Sequence, residues 1–226
     1  QDTGMAIVFL NIGQDVHIEG MDLHDAVNEG VRQGYTEGYL RKSVVKDPLI
    51  RENTKDNTPA IVHIDIVPGE NLEILVAPKG FGSENISRIF MLKPADGEEG
   101  VKKSVIQAVK DAGPNACPPM VVGVGLGGSF EKAAFLAKKA LTRNLDTPSD
   151  KPHIAKLEKE LLEEIAGLHE VPAGAYNIRA NGKAAARNTT ANIDIVSKED
   201  KPGIDIIIKP GTKKESVHIP VVISLI

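Results

Sequence analysis

In MVVGVGLGGS, Met120 to Ser129, an apolar run gives way to glycines and then to a helix-capping serine. Met120 to Val124 has the length and composition of a short buried strand, and Ser129 predicts a helix through about Leu141. Strand, tight turn and helix in succession form the unit from which α/β folds are built. The glycines also spell Gly123-x-Gly125-x-x-Gly128, the spacing of a dinucleotide-binding turn. That chemistry needs a second parallel strand soon after the helix, carrying an acid for the ribose. Here Thr142 to Pro152 is polar and holds two prolines, which predicts a linker and leaves Asp146 on no strand. Tight backbone packing, or a helix start that attracts an anion, explains the glycines without a nucleotide.

Upstream of this stretch, Val101, Val105, Ile106, Val109 and Ala112 recur at helical spacing and stop at Gly113-Pro114. Downstream, a charged helix is expected from Ile154 to Leu168, followed by short β runs at Ile193 to Val196, Ile204 to Lys209 and Val217 to Ile223. Nearer the start, Met5 to Ile12 predicts a strand. Asp22 can cap a helix whose apolar side carries Leu23, Ala26, Val27, Val31 and Tyr35, and whose Gly30, Gly34 and Gly38 suggest close packing. The alternating run Ile61 to Val67, the turn Pro68-Gly69-Glu70-Asn71 and the run Leu72 to Ala77 predict a β-hairpin, followed by the loop Lys79-Gly80-Phe81-Gly82-Ser83. The expected class is α/β (α+β) followed by a short β-rich C-terminal segment. Residues 1–150 form its main domain, 151–170 a linker and helix, and 171–226 the β-rich part.

The 27 basic and 31 acidic side chains are interspersed and sum to −4, so no surface for tracking phosphates is visible and nucleic acid is not an expected partner. No apolar run approaches the roughly 20 residues that span a bilayer, and no secretory leader is present, so the chain reads as soluble and cytoplasmic. Gln1 in place of a methionine suggests that upstream residues have been removed. The single cysteine, Cys117, rules out an internal disulfide framework, and one thiolate cannot hold a zinc or iron–sulfur centre unaided. By composition alone, such a residue is more often a small buried hydrophobe than a ligand. Pro118 and Pro119 remove local N–H donors, a setting common around iron–sulfur thiolates. Arg41 is either a solvated cation or a bidentate grip for a carboxylate. The six histidines show no ligand spacing, and no G-x-S-x-G elbow supports a serine hydrolase.

Six segments taken in order carry a resemblance. They are QDTGMAIVFLNIGQDVHIEG (Gln1 to Gly20), GYLRKSVVKDPL (Gly38 to Leu49), NTPA (Asn57 to Ala60), VAPKGFGSEN (Val76 to Asn85), MLKPADG (Met91 to Gly97) and NACPPMVVGVGLGGS (Asn115 to Ser129). Through about residue 168 the chain resembles the α-subunit of class I fumarases and tartrate dehydratases, the iron–sulfur hydro-lyases. The resemblance implies an enzyme that adds or removes water at a short dicarboxylate, using the open iron of a [4Fe–4S] cluster as a Lewis acid. It implies that Cys117 is one of three cluster cysteines, that another directly precedes Gln1 and that the third is missing here. It further implies that Gln1 and Asp2 face the substrate, with Asp2 a proton donor to the departing hydroxyl. Arg41 would clamp a carboxylate, and the backbone from Gly80 to Gly82 would line the site. Residues 1–150 would then be a hydro-lyase catalytic domain truncated at its start, inactive as a fragment. A β-subunit or second catalytic domain would complete it in a homo- or hetero-oligomer.

From about residue 161 the text changes, and the tail resembles the N-terminal part of small Suf-type iron–sulfur assembly scaffold proteins. A non-catalytic iron–sulfur assembly or interaction module, or a chimera of the two, is therefore the alternative expectation.

Overall fold

The structure is a computed structural model that describes residues 4–113, 120–168, 192–197 and 217–225; for the last two segments only the strand pairing is described. The chain divides into two compact units, Gln1–Phe81 and Gly82–Ile226.

In the first unit, β1 (Met5–Gly13) is the central strand of a three-stranded sheet. It pairs in parallel with β2 (Ile61–Val67) and antiparallel with β3 (Leu72–Lys79). The expected hairpin between β2 and β3 is therefore corrected, because β1 lies between them. Side-chain patterning explains the insertion. Ala6, Ile7, Val8, Phe9 and Leu10 are apolar at every position and all buried, as a central strand covered on both faces requires. β2 and β3 instead leave Ile64, Ile66, Leu72, Ile74 and Val76 about half exposed, as edge strands can. The Pro68-to-Asn71 connection arches over the end of β1. Gly13 N–H donates to Asn71 O (2.8 Å), Gln14 N–H to Val67 O (2.7 Å) and Asp15 N–H to Gly69 O (3.0 Å). A Cβ on Gly13 would stand 2.2 Å from Gly69 O, so this crossing requires glycine.

Helix α1 (Leu23–Glu37) starts where expected, since the Asp22 carboxylate accepts from the amides of His24 and Asp25. Val31 and Tyr35 are buried on it and join Ala6, Val8, Leu10 and Ile12 in one core, with Leu23 and Val27 at its rim. Burying side chains of this kind contributes roughly 1.5–3 kcal/mol each. Gly30 and Gly34 do not pack closely: an added Cβ at either would meet nothing within 4 Å. Gly38 ends the helix, its N–H donating to Gly34 O.

The second unit holds a four-stranded sheet in the order β4-β7-β5-β6, with every pair parallel. Its strands are β4 (Arg88–Leu92), β5 (Met120–Leu126), β6 (Asn192–Ser197) and β7 (Val217–Leu225). Two of the three β runs read in the tail are thus strands of the same sheet as β5, while Ile204 to Lys209 lies outside the described residues. The short helix α2 (Phe81–Asn85) and β4 escaped sequence reading because five residues are too few to show a period.

Alternation along β5 sorts its two faces. Val122, Val124 and Leu126 pack with Val101, Val105, Ala108 and Val109 of α3 (Gly97–Ala112) and with Leu157, Leu161 and Ile165 of α5 (Pro152–Ala166). Gly123 and Gly125 point the other way, onto α4 (Phe130–Ala140). A Cβ at Gly123 would lie 2.5 Å from Ala137 O, and one at Gly125 would lie 2.0 Å from Ala133 O. Both glycines therefore serve helix-on-strand contact, and Gly127 and Gly128 (φ +76° and +75°) make the turn.

The Thr142-to-Pro152 segment is tied down. Glu158, buried on α5, accepts from the Arg143 guanidinium (2.6 Å) and the Ser149 amide (3.1 Å). Lys102 of α3 reaches Glu160 of α5 at 2.6 Å and Glu98 at 2.9 Å, and these carboxylates, Glu160 foremost, hold its ammonium well above the usual lysine range. Among the described residues no helix is long and apolar enough to cross a membrane.

Candidate functional site

Gly4, the first described residue, has φ +91°, a backbone region that favours glycine. A Cβ there would fall 1.7 Å from Lys79 O and 2.8 Å from the Gly80 Cα. Gly4 therefore lies directly on the backbone where β3 ends.

A second fastening comes from Asn57, whose side chain is fully buried and whose backbone sits at φ +64°. Asparagine tolerates that region better than most residues. Its Oδ1 accepts from the amides of Ser43 (2.7 Å) and Val44 (3.0 Å), and its Nδ2 donates to Gly4 O (3.1 Å). One carboxamide thus joins the segment just after Arg41 to the segment just after Asp2, while Gly4 rests on Lys79 and Gly80. Gly4, Ser43–Val44 and Lys79–Gly80 meet at this point.

The loop that presents Asn57 is itself heavily bonded. Asn53 Nδ2 donates to Lys42 O (3.0 Å), Thr54 N–H to Val44 O (3.0 Å) and Lys46 N–H to Glu52 O (2.8 Å). The Asp47 carboxylate accepts from the amides of Ile50 and Leu49 (2.8 Å each), and that of Asp56 accepts from the Thr58 amide (3.0 Å) and hydroxyl (2.9 Å). These backbone amides hold both carboxyls below the usual aspartate range: Ile50 and then Leu49 for Asp47, Thr58 for Asp56. A depressed carboxyl stabilises the fold fully above its unfolded value, about 4, and loses that contribution as pH falls through the folded value. The protection factors of amides across residues 44–58 are therefore expected to hold from pH 7 to about 4 and to fall below it. Equal protection of this loop at pH 7 and pH 3 would contradict the assignment.

Arg41 is exposed, and among the described residues its guanidinium has no hydrogen-bond or ion-pair partner. Gly80 is half-buried and Gly82 is exposed on α2, where a Cβ would meet nothing within 4 Å. Gln1, Asp2 and Cys117 lie outside the described residues. Sequence reading gave no role to Lys79, which is buried and donates from Nζ to Gly80 O (3.2 Å), or to Asn57. Nothing local distinguished either: Lys79 ends β3 beside a glycine loop, and Asn57 lies in a polar loop.

Among the described residues no three histidines, cysteines, aspartates or glutamates group to hold a metal ion. With one cysteine in the whole chain, the donors present do not make up the three-thiolate set of an iron–sulfur cluster.

The sequence model of the fumarate hydratase (Fumerase) family matches residues 1–176. The chain belongs to that family. This fumarate hydratase family member is 46% identical over 174 residues to the putative L(+)-tartrate dehydratase subunit alpha of Methanocaldococcus jannaschii, a match covering 74% of the chain and 61% of that relative. It is 33% identical over 185 residues to the L(+)-tartrate dehydratase subunit alpha of Escherichia coli, covering 80% and 59%. The protein of that name from Shigella sonnei is 32% identical over the same length. The chain spans about three fifths of the length of the curated relatives it matches. The resemblance to the class I fumarase and tartrate dehydratase α-subunit is thereby met.

Proposed function

We propose that the complete enzyme containing this chain is a hydro-lyase of the fumarate hydratase and tartrate dehydratase type, adding or removing water at a short dicarboxylate. The observation that carries this reading is the meeting of Gly4, Ser43–Val44 and Lys79–Gly80 around Asn57, in a chain of this family. Those segments adjoin Asp2, Arg41 and the Gly80-to-Gly82 backbone.

Within the proposed site, Arg41 grips one substrate carboxylate through two parallel N–H···O bonds, which fixes the position of the carbon to be attacked. Asp2 supplies a proton to the hydroxyl as its C–O bond breaks, so that water leaves. The neighbouring carbon gives up its proton to a base outside this chain. Gln1 hydrogen-bonds the substrate, and the backbone from Gly80 to Gly82 lines its path. A [4Fe–4S] cluster would supply Lewis acidity, with Cys117 as this chain's ligand. Because the chain's own donors fall short of the set, the remaining thiolates belong to residues outside it. The relatives' description as alpha subunits supports a β-subunit or second catalytic domain as partner.

The test compares the 226-residue polypeptide with the complete enzyme, each after anaerobic iron–sulfur reconstitution, on fumarate and on L(+)-tartrate. Turnover is expected from the complete enzyme, and neither turnover nor cluster absorbance from the polypeptide alone. Failure of the complete enzyme to hydrate or dehydrate any short dicarboxylate would overturn the reading.

A further inference from the structure

We infer that Asn57 is a positioning residue, whose carboxamide sets the distance between the segment that carries the proton donor and the segment that carries the carboxylate clamp. The inference rests on the hydro-lyase reading above, which supplies those two roles.

Among the described residues Asn57 is the sole carboxamide in the set of largest fully buried side chains, and each of its bonds goes to backbone. Two bonds run to Ser43 and Val44, within three residues of Arg41, and one to Gly4, two residues beyond Asp2. Its partners are separated from it by 13, 14 and 53 residues, so the side chain serves no local turn. A buried carboxamide that only filled space would be replaceable by leucine of similar volume, yet leucine would leave two N–H groups and one carbonyl without partners. The donor and acceptor ends are not interchangeable: amides face Oδ1 and a carbonyl faces Nδ2. Only asparagine combines this length, this polarity and easy access to φ +64°. Gly4 and Ser43 are each two residues along the chain from Asp2 and Arg41, so sliding one against the other shifts the points from which those two residues are held. Misplacement of reacting groups by about 1 Å costs roughly 10²-fold in rate.

Asn57→Asp is the decisive variant. It keeps the backbone preference and the acceptor toward Ser43 and Val44; ionised, it sets a carboxylate oxygen against Gly4 O, whereas protonated it would donate to Gly4 O, so the kcat loss is read against pH and should shrink as pH falls. In the complete enzyme it is expected to fold, to lower kcat by roughly 10²-fold and to leave KM within about threefold. Amide exchange at Met5 should rise with it. Val31→Ala, a cavity on the α1 face of the same unit, is the matched control and should lower the melting temperature while leaving kcat and KM unchanged. Wild-type kcat in Asn57→Asp at every pH, with the wild-type enzyme active, would overturn the positioning role alone. A kcat loss in Val31→Ala equal to that in Asn57→Asp would reduce Asn57 to a structural part. An inactive wild-type enzyme would overturn the hydro-lyase reading and this inference together.

Discussion

Asp2→Asn in the complete enzyme is expected to lower kcat on a short dicarboxylate by about 10³-fold, within the 10²- to 10⁴-fold that a positioned proton donor supplies. The two side chains have nearly the same shape, so the carbonamide still fills the site and still hydrogen-bonds the substrate hydroxyl. It cannot release a proton as the C–O bond breaks, and hydroxide is a poor leaving group. The loss should therefore appear in kcat and in kcat/KM equally, which marks an interaction made only in the transition state. Arg41→Met should behave differently: in the proposed site its guanidinium would grip carboxylate in substrate and transition state alike, which is uniform binding, and its removal should raise KM more than it lowers kcat. Steady-state kinetics on both variants, with cluster content measured to exclude loss of cofactor, separates the roles. An Asp2→Asn enzyme within tenfold of wild-type kcat would remove Asp2 from the chemistry.

Gly125→Ala is expected to destabilise the second unit by about 3 kcal/mol, the upper end of what overpacking costs. The added methyl would stand 2.0 Å from Ala133 O and 2.6 Å from Ala137 N. Both are backbone atoms of α4, so no side chain can rotate away and the whole helix must lift from β5. Gly30→Ala supplies the contrast. It sits on the open face of α1 with nothing within 4 Å, and it should stabilise by up to about 1 kcal/mol through helix propensity and a less flexible unfolded chain. Chemical denaturation midpoints of the two variants measure both effects, and a Gly125→Ala midpoint at or above wild type would contradict the packing described for β5.

These glycines show where local reading stops. Gly123 and Gly125 were visible as a motif, and backbone packing was one of its readings. Which reading holds depends on Ala133 and Ala137 lying opposite, and that is a property of how α4 docks. Gly30 and Gly34 looked like packing glycines by the same logic and face open space instead. Asn57 lay inside a segment whose resemblance to the family was recognised, yet its function as a clasp depends on Gly4, 53 residues away.

The sequence by itself determined the longer helices α1, α3, α4 and α5 to within a few residues, the strands β1, β2, β3 and β5, and the family. Apolar spacing, an aspartate cap and motif order are written among near neighbours, and Asp22 meets its amides within three residues. Only the tertiary structure decided that β1 lies between β2 and β3, that β6 and β7 join the sheet of β5, and that one buried carboxamide ties Gly4 to Val44. Strand partnership and burial are set by what the rest of the chain brings across space. Pro68-Gly69-Glu70-Asn71 has hairpin chemistry, but the apolar run Ala6 to Leu10 of β1 gains more from burial on both faces than the two edge strands gain from pairing with each other.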